Sequence, residues 1–216
     1  EIITITVEQG QLIEYINKNQ ITVLLVRSAT KVRKDIIDNC PSLKIIGRGG
    51  VGMDNIDVQY ARDNGRTVIN TPAASSQSVA ELVMGHLFAI SRFLNDSYKN
   101  METGDFNTLK KYYGKGVELR GKNLTIVGFG RIGQLLAKRL QGFEPEILFF
   151  DPFCESSDIP NTRKTESLEE IFKTCDVISL HTPLLDSTRG FVTSELMNMM
   201  PAHAILINAS RGGIVD

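Results

Sequence analysis

Short β-branched apolar runs alternate with amphipathic stretches along the whole chain. The runs Ile2–Val7, Thr22–Val26, Lys44–Ile46 and Thr67–Ile69 occupy the first third, and Leu124–Val127, Ile147–Phe150, Val177–Leu180 and Ala204–Ile207 lie in the second half. Between them, apolar residues recur at helical spacing in Gln11–Asn17, Val32–Asn39, Val58–Asn64, Ile132–Leu140, Leu168–Lys173 and Thr193–Met199. Continuous apolar strands separated by helices predict parallel sheets buried on both faces, which makes the expected class α/β. Ser167 and Glu170 have the spacing of a capping box at the start of one helix. Between the two strand sets a longer helical stretch opens at Ser78-Val79-Ala80-Glu81 and runs through Leu82, His86, Ile90 and Phe93 towards Tyr98. The glycine- and lysine-containing stretch from Gly104 to Gly121 has little periodicity and reads as a loop or hinge. The pattern therefore predicts two parallel-sheet units, 1–75 and 104–216, joined by a connecting helix over 76–103.

Composition narrows the partners. With 216 residues, 42% hydrophobic and 23% charged, the chain is an ordinary globular protein; disordered, collagenous and disulfide-scaffold classes are excluded. Lys and Arg number 24 against 25 Asp and Glu, so there is no basic excess to hold a nucleic-acid backbone. The basic, aromatic segment Lys110–Lys115 is accordingly read as a solvated loop. Cys40, Cys154 and Cys175 are too widely spaced for a disulfide framework or a zinc knuckle and read as reduced thiols, as in a cytoplasmic protein; no metal is expected. The longest apolar stretch, Leu82–Ile90, is interrupted by Gly85 and His86 and is far short of the roughly 18 residues of a membrane span. The chain begins at Glu1 rather than Met, and a native N-terminus is expected upstream.

The sharpest chemical signal is Gly128-Phe129-Gly130-Arg131-Ile132-Gly133, which follows one predicted strand directly and opens the helix from Ile132. In a βαβ unit of this kind, characteristic of Rossmann-like domains, the first glycine makes a tight turn and the second admits a pyrophosphate. The third lets helix pack on strand. Asp151 follows the next strand, where a carboxylate can accept hydrogen bonds from ribose hydroxyls and repel a 2′-phosphate, favouring NAD over NADP. His181-Thr182-Pro183 and Asn208-Ala209-Ser210-Arg211-Gly212-Gly213 end the next two strands, and both loops are expected at the same crevice. Arg211 can hold a carboxylate bidentately and polarise a carbonyl, or it can pair with an acid such as Asp216; spacing leaves both open.

These motifs, together with Val26-Arg27-Ser28-Ala29-Thr30-Lys31-Val32, Gly47-Arg48-Gly49-Gly50-Val51-Gly52-Met53-Asp54-Asn55-Ile56-Asp57 and Asn70-Thr71-Pro72, resemble the D-2-hydroxyacid dehydrogenases over almost the entire chain. The resemblance implies a substrate domain and an NAD-binding domain closing on a cleft, and a homodimer or larger homo-oligomer paired through the connecting helix. It implies NAD contacts from Val51, Gly128, Gly130, Arg131, Ile132, Gly133, Asp151, His181, Thr182, Pro183, Ala209, Ser210 and Arg211. It also implies substrate contacts from Arg27, Lys31, Arg48, Gly50, Val51 and Gly52, with Arg211 as the catalytic residue. The resemblance further implies oxidation of 3-phospho-D-glycerate to 3-phosphohydroxypyruvate, the entry to serine synthesis, with Arg27, Lys31 and Arg48 as candidates for its phosphate, a dianion that favours more than one cation. Two alternatives stand beside it: a family member acting on glycerate or lactate, and a non-catalytic NAD-sensing co-regulator with the same fold.

The chain departs from the family pattern at His203, where a small polar residue is usual, and at Ser75, where asparagine is common. Family members also use a glutamate and a histidine in segments that follow Asp216. None of His86, His181 and His203 is assigned as that base. The strand count, four where six are expected in the nucleotide half, agrees with a chain incomplete at both ends.

Overall fold

The computed structural model describes residues 2–102 and 104–216. The chain divides into two compact units, Glu1–Ser75 and Ser76–Asp216, each an α/β unit with its own parallel sheet.

The first unit orders its elements as α1 (Leu12–Lys18), β1 (Val23–Val26), α2 (Lys34–Asn39), β2 (Ile45–Arg48), α3 (Val58–Asp63) and β3 (Thr67–Asn70). The three strands pair in parallel in the order β1-β2-β3, with Val26 opposite Arg48 and Arg48 opposite Asn70. Val26, Ile46 and Val68 are buried against Leu12 and Ile16 of α1, Ile36 and Ile37 of α2 and Ala61 of α3. Leu25 and Ile69, whose side chains alternate to the other face, are exposed. Burial on both faces, expected from the apolar runs, therefore does not hold here: all three helices cover the same face. The strand expected over Ile2–Val7 also does not form, and Ile2, Ile3 and Ile5 are exposed. A strand exists only through a ladder with a neighbour, and this run has none.

The second unit opens with α4 (Ser76–Ser91), α5 (Leu94–Asn100) and α6 (Phe106–Tyr113). The single connecting helix expected over 76–103 is thus two helices. The break is at Phe93, which adopts the left-handed φ of 56°, and the carbonyl of Ser91 is taken by the Val117 N–H at 2.9 Å. The expected loop over 104–121 contains α6, because Asp105 caps it by accepting the Thr108 N–H at 2.8 Å and Tyr112 and Phe93 pack ring to ring at 5.1 Å.

The remainder is β4 (Asn123–Val127), α7 (Arg131–Leu140), β5 (Glu146–Phe150), β6 (Thr162–Lys164), α8 (Leu168–Thr174), β7 (Val177–Leu180), α9 (Ser194–Asn198) and β8 (Ile205–Asn208). The five strands lie in the order β6-β5-β4-β7-β8, all parallel. β6 is an addition to the four strands expected; it is three residues long, polar, and exists as an edge paired to β5. Here both faces are covered. Leu124, Ile126, Ile147, Phe149, Val177 and Ile207 meet Ala80, Val83 and Leu87 of α4 and Leu136, Ala137 and Leu140 of α7. The opposite faces of the same strands put Val127, Ile178 and Leu180 against Ile171 and Phe172 of α8 and against Val192 and Ile214. Ser167 caps α8 by accepting the Glu170 N–H at 3.2 Å, whereas the Glu170 carboxylate turns to Thr165, so only half of the capping box forms. Among the described residues no helix is long and apolar enough to cross a membrane, and the three cysteines are free thiols.

Candidate functional site

Because every strand of the second sheet is parallel, the C-terminal ends of β4, β5, β7 and β8 share one edge. The strand order reverses at β4: the chain winds outward through β5 and β6, then returns to β7 on the other side. Loops leaving the two sides of such a reversal diverge and leave a crevice. The turn 128–133 emerges at that point.

Its three glycines answer three different constraints. Gly128 has φ +92°, and a Cβ there would lie 2.8 Å from the His181 carbonyl carbon, so the turn rests directly on the His181–Thr182 peptide. A Cβ on Gly133 would lie 2.4 Å from the Gly128 carbonyl oxygen, which is how α7 begins so close to β4. Around Gly130, the residue that precedes α7, a Cβ would meet no atom within 4 Å. The space belongs to whatever approaches the helix start, where first-turn N–H groups and the helix dipole favour an anion. Phe129 fixes the turn from below: its ring is buried and stacks on Phe149 at 4.1 Å between centroids.

Asp151, one residue past β5, ties itself to this turn. Its Oδ2 accepts the Phe129 N–H at 2.7 Å and its Oδ1 accepts the Phe153 N–H at 2.8 Å. Past β7, the His181 N–H donates to the Val127 carbonyl at 2.7 Å and its Nε2 lies 2.8 Å from Ser179 Oγ. Burial of the imidazole lowers its pKa from 6.5 to about 4, so His181 is neutral at neutral pH. Thr182 Oγ1 is buried with no hydrogen-bond partner, and Pro183 is exposed, its carbonyl accepting from Thr188 Oγ1 at 2.6 Å. Past β8, Asn208 folds the next three residues into a turn. Its Oδ1 accepts from the Ser210 N–H and Oγ at 3.1 and 2.8 Å, and its Nδ2 donates to the Arg211 carbonyl at 2.8 Å. The Arg211 guanidinium donates to the Ser210 carbonyl at 2.9 Å, and Ala209 packs against the core below.

An open approach at Gly130, an anion-favouring helix start, an acid tied to the glycine turn and the orphaned hydroxyl of Thr182 together fit a dinucleotide. The turn 128–133, Asp151, His181, Thr182, Pro183, Ala209, Ser210 and Arg211 all fall along this one sheet edge. Among the described residues no cluster of His, Cys, Asp and Glu could hold a metal ion.

In the first unit the candidate substrate residues occupy two neighbouring loops. Arg27 and Lys31 follow β1, and Arg48 ends β2 with Gly50, Val51 and Gly52 after it. The loops touch: a Cβ on Gly49 would lie 3.9 Å from Arg27 Cγ, and the Gly49 N–H donates to the Val26 carbonyl at 2.9 Å. Gln9 brackets Lys31, donating to its carbonyl at 2.8 Å and accepting its N–H at 3.0 Å. Asn70 donates to the Val51 carbonyl at 2.7 Å. Val51, expected to touch both cofactor and substrate, belongs to this loop pair of the first unit.

Residues 84–216 match the family described as D-isomer specific 2-hydroxyacid dehydrogenase, NAD binding domain. The chain belongs to this family. It is 44% identical over 197 residues to the hydroxypyruvate reductase of Thermotoga maritima, covering 91% of this chain and 63% of that protein. It is 41% identical over 196 residues to the D-3-phosphoglycerate dehydrogenase of Methanocaldococcus jannaschii, covering 90% of this chain and 37% of that protein. The NAD+-bound 3-phosphoglycerate dehydrogenase of Entamoeba histolytica superposes with a TM-score of 0.78 at 31% identity over 98% of this chain and 62% of that one. The chain thus spans between about a third and two thirds of the length of these relatives. The Rossmann-like α/β fold and NAD as the cofactor of this domain follow from the family.

The motifs pointed to charged and glycine positions but not to what frames them. Asn55, Asn208 and Ser179 hold the candidate loops in place. Ser179 and Asn208 show in the sequence only as small polar residues near the C-terminal end of a predicted strand and Asn55 only as one in the loop after a strand, which solvent exposure explains equally well.

Proposed function

We propose that the protein is an NAD-dependent dehydrogenase that oxidises a D-2-hydroxy acid to its 2-oxo acid, with 3-phospho-D-glycerate as substrate and 3-phosphohydroxypyruvate as product. The observation that carries the substrate reading is the loop pair of the first unit. Arg27 and Arg48 leave adjacent parallel strands within one residue of the same register level, since Val26 pairs with Arg48, and Lys31 follows in the first loop. A phosphate dianion favours more than one such cation. The similarity to D-3-phosphoglycerate dehydrogenases at about 40% identity supports the same choice.

In this reading Gly130, Arg131, Ile132 and Gly133 hold the pyrophosphate through the start of α7, and Asp151 takes the ribose hydroxyls. His181, Thr182, Pro183, Ala209 and Ser210 flank the nicotinamide half. NAD supplies a hydride acceptor when bound. Arg211 binds the substrate carboxylate and polarises the oxygen at C2, with the turn made by Asn208 fixing where its guanidinium starts. Gly50, Val51 and Gly52 offer backbone N–H groups to the same carboxylate. The resemblance assigns the hydroxyl proton to a glutamate and a histidine in segments following Asp216. Homodimer formation through the α4 region belongs to the same reading, with sedimentation of the full-length protein as its measurement.

A second substrate reading has an observation behind it: the 44% identical relative is a hydroxypyruvate reductase. Following NADH absorbance with the full-length protein on 3-phosphoglycerate, glycerate, lactate and hydroxypyruvate separates the two. Arg48→Ala should raise KM for the phosphorylated acid at least about 10-fold more than for glycerate. Equal effects on both acids exclude the phosphate reading, and no turnover on any of them excludes the dehydrogenase.

A further inference from the structure

Asn55 lies in the Gly49–Asp57 segment, outside every assigned contact, and is 6% exposed. Both hydrogens and the oxygen of its carboxamide are engaged. The Nδ2 group donates one hydrogen to the Arg27 carbonyl at 2.9 Å and the other to the Thr30 carbonyl at 2.6 Å. The Oδ1 accepts from Arg48 Nε at 3.2 Å. Its backbone carbonyl accepts the Val32 N–H at 2.9 Å, just past the first loop. One residue therefore holds the first loop at Arg27, Thr30 and Val32 and simultaneously fixes the arginine of the second. The chemistry admits few substitutes: two carbonyl acceptors demand an NH2, and a guanidinium Nε–H demands an oxygen on the same planar group. Aspartate would keep the partner for Arg48 but turn a carboxylate towards two carbonyl oxygens. With Nε held by Asn55 and Nη1 turned to the Gly49 carbonyl, the Arg48 guanidinium has a set plane.

We infer that Asn55 is a positioning residue for the anionic end of the substrate: its carboxamide locks the Arg27–Lys31 loop to the Arg48 loop, so that cations from two strands act on one ligand group. The inference rests on the reading of Arg27 and Arg48 as anion binders. Past the strand ends backbone bonds join the two segments only at the Gly49 N–H to Val26 carbonyl contact and at the Val32–Ile56 bridge. Between these points the carboxamide is what ties Arg27 and Thr30 to Arg48, and without it the two cations would sample a wider range of relative positions. Binding would then lose the advantage of preorganisation.

The test uses the full-length protein and measures KM and kcat for 3-phosphoglycerate, competitive inhibition by inorganic phosphate, and NADH binding by fluorescence. Asn55→Asp should raise KM and the phosphate inhibition constant about 10- to 100-fold, leave kcat within about 3-fold, and leave NADH affinity unchanged, the pattern of lost substrate binding. In an Arg27→Ala/Arg48→Ala background the same substitution should cost less than about 3-fold, since it acts through those cations. An equal cost in both backgrounds, or an unchanged KM in the first, overturns the inference while the anion-binding reading stands. If Arg27→Ala/Arg48→Ala by itself leaves KM for the phosphorylated acid unchanged, that reading falls and takes the inference with it. Asn55→Ser, which retains one donor in less volume, replaces the aspartate variant if that does not fold. In the wild-type protein the Asn55 side-chain NH2 should be protected from solvent exchange in 15N NMR spectra and shift on titration with inorganic phosphate. Free exchange or no shift overturns the inference without any variant.

Discussion

The buried imidazole of His181 makes a pH-dependent stability prediction that can be worked through. Burial holds its folded-state pKa at about 4 against 6.5 when exposed. The folded state therefore refuses a proton that the unfolded chain accepts, so the associated stability is complete above pH 6.5 and is lost as pH falls towards 4. At about 1.4 kcal/mol per pH unit of displacement, the loss amounts to about 2 kcal/mol between pH 7 and pH 5 and approaches about 3 kcal/mol below pH 4. The perturbation is His181→Gln, which keeps a polar group within reach of Ser179 Oγ and removes the titration. Urea unfolding of wild type and variant, followed by circular dichroism at pH 7 and pH 5, gives the comparison. His86 and His203 are common to both proteins and cancel. The stability advantage of wild type over variant should shrink by about 2 kcal/mol on acidification. An advantage independent of pH, or an NMR titration of His181 with a midpoint near 6.5, refutes the reasoning.

Gly133→Ala forces its new methyl to within 2.4 Å of a backbone oxygen and should destabilise the protein by about 2 to 3 kcal/mol in thermal melting. Gly130→Ala meets no protein atom, so it should leave stability within about 0.5 kcal/mol while weakening NADH binding at least about 10-fold. Asp151→Ser should weaken NAD binding by more than it improves NADP binding, because the carboxylate that would repel a 2′-phosphate also holds the Phe129 and Phe153 N–H groups; fluorescence titration with both reduced cofactors checks it. At the opposite edge of the sheet, Asp176 loses hydration by burial, but the Asn123 N–H, His203 and Lys122 outweigh that and hold its carboxyl below its ordinary 3.8. Its stabilising contribution is present above that value and lost as pH falls below it. Asp176→Asn should therefore cost about 1 to 2 kcal/mol at pH 7 and progressively less in acid unfolding below about pH 4.

What the sequence disclosed and what it hid divide along a physical line. The buried strands β4, β5 and β7 are dense apolar runs, because a central parallel strand is covered on both sides and its composition carries that fact alone. The run Ile2–Val7 has the same composition without a neighbour to pair with, and composition cannot report a partner. β6 is the converse: Thr162–Lys164 is polar and three residues long, and becomes a strand solely because β5 presents its open edge. α6 depends on a cap at Asp105 and on ring contacts with Phe93, which lies in the break between α4 and α5. A reading of local periodicity sees lysines and glycines there instead. The break between α4 and α5 is a further case, since the residue in the left-handed conformation is a phenylalanine and not the glycine that usually announces a helix end.

The candidate site follows the same rule at finer scale. A glycine turn, an acid after a strand and arginines in loops are visible because their residue types are chemically loud. Their frames are amides, which read as ordinary surface residues. Yet past the end of a strand the backbone has lost its ladder, and its carbonyl and N–H groups still need partners. Asparagine offers a donor pair and an acceptor on a short, planar arm, and it appears in that role three times. Asn55 bonds the Arg27 and Thr30 carbonyls, Asn70 bonds the Val51 carbonyl, and Asn208 bonds the Arg211 carbonyl together with the Ser210 N–H. Each of these amides stands beside a residue proposed to touch substrate or cofactor, and none contributes charge. Substituting Asn55 or Asn208, whose partners include arginines, should therefore disturb where a charge sits while leaving its magnitude intact. The signature is a loss of affinity that vanishes once the neighbouring charged residue is itself removed, and a site whose charges were positioned by their own loops would not show it.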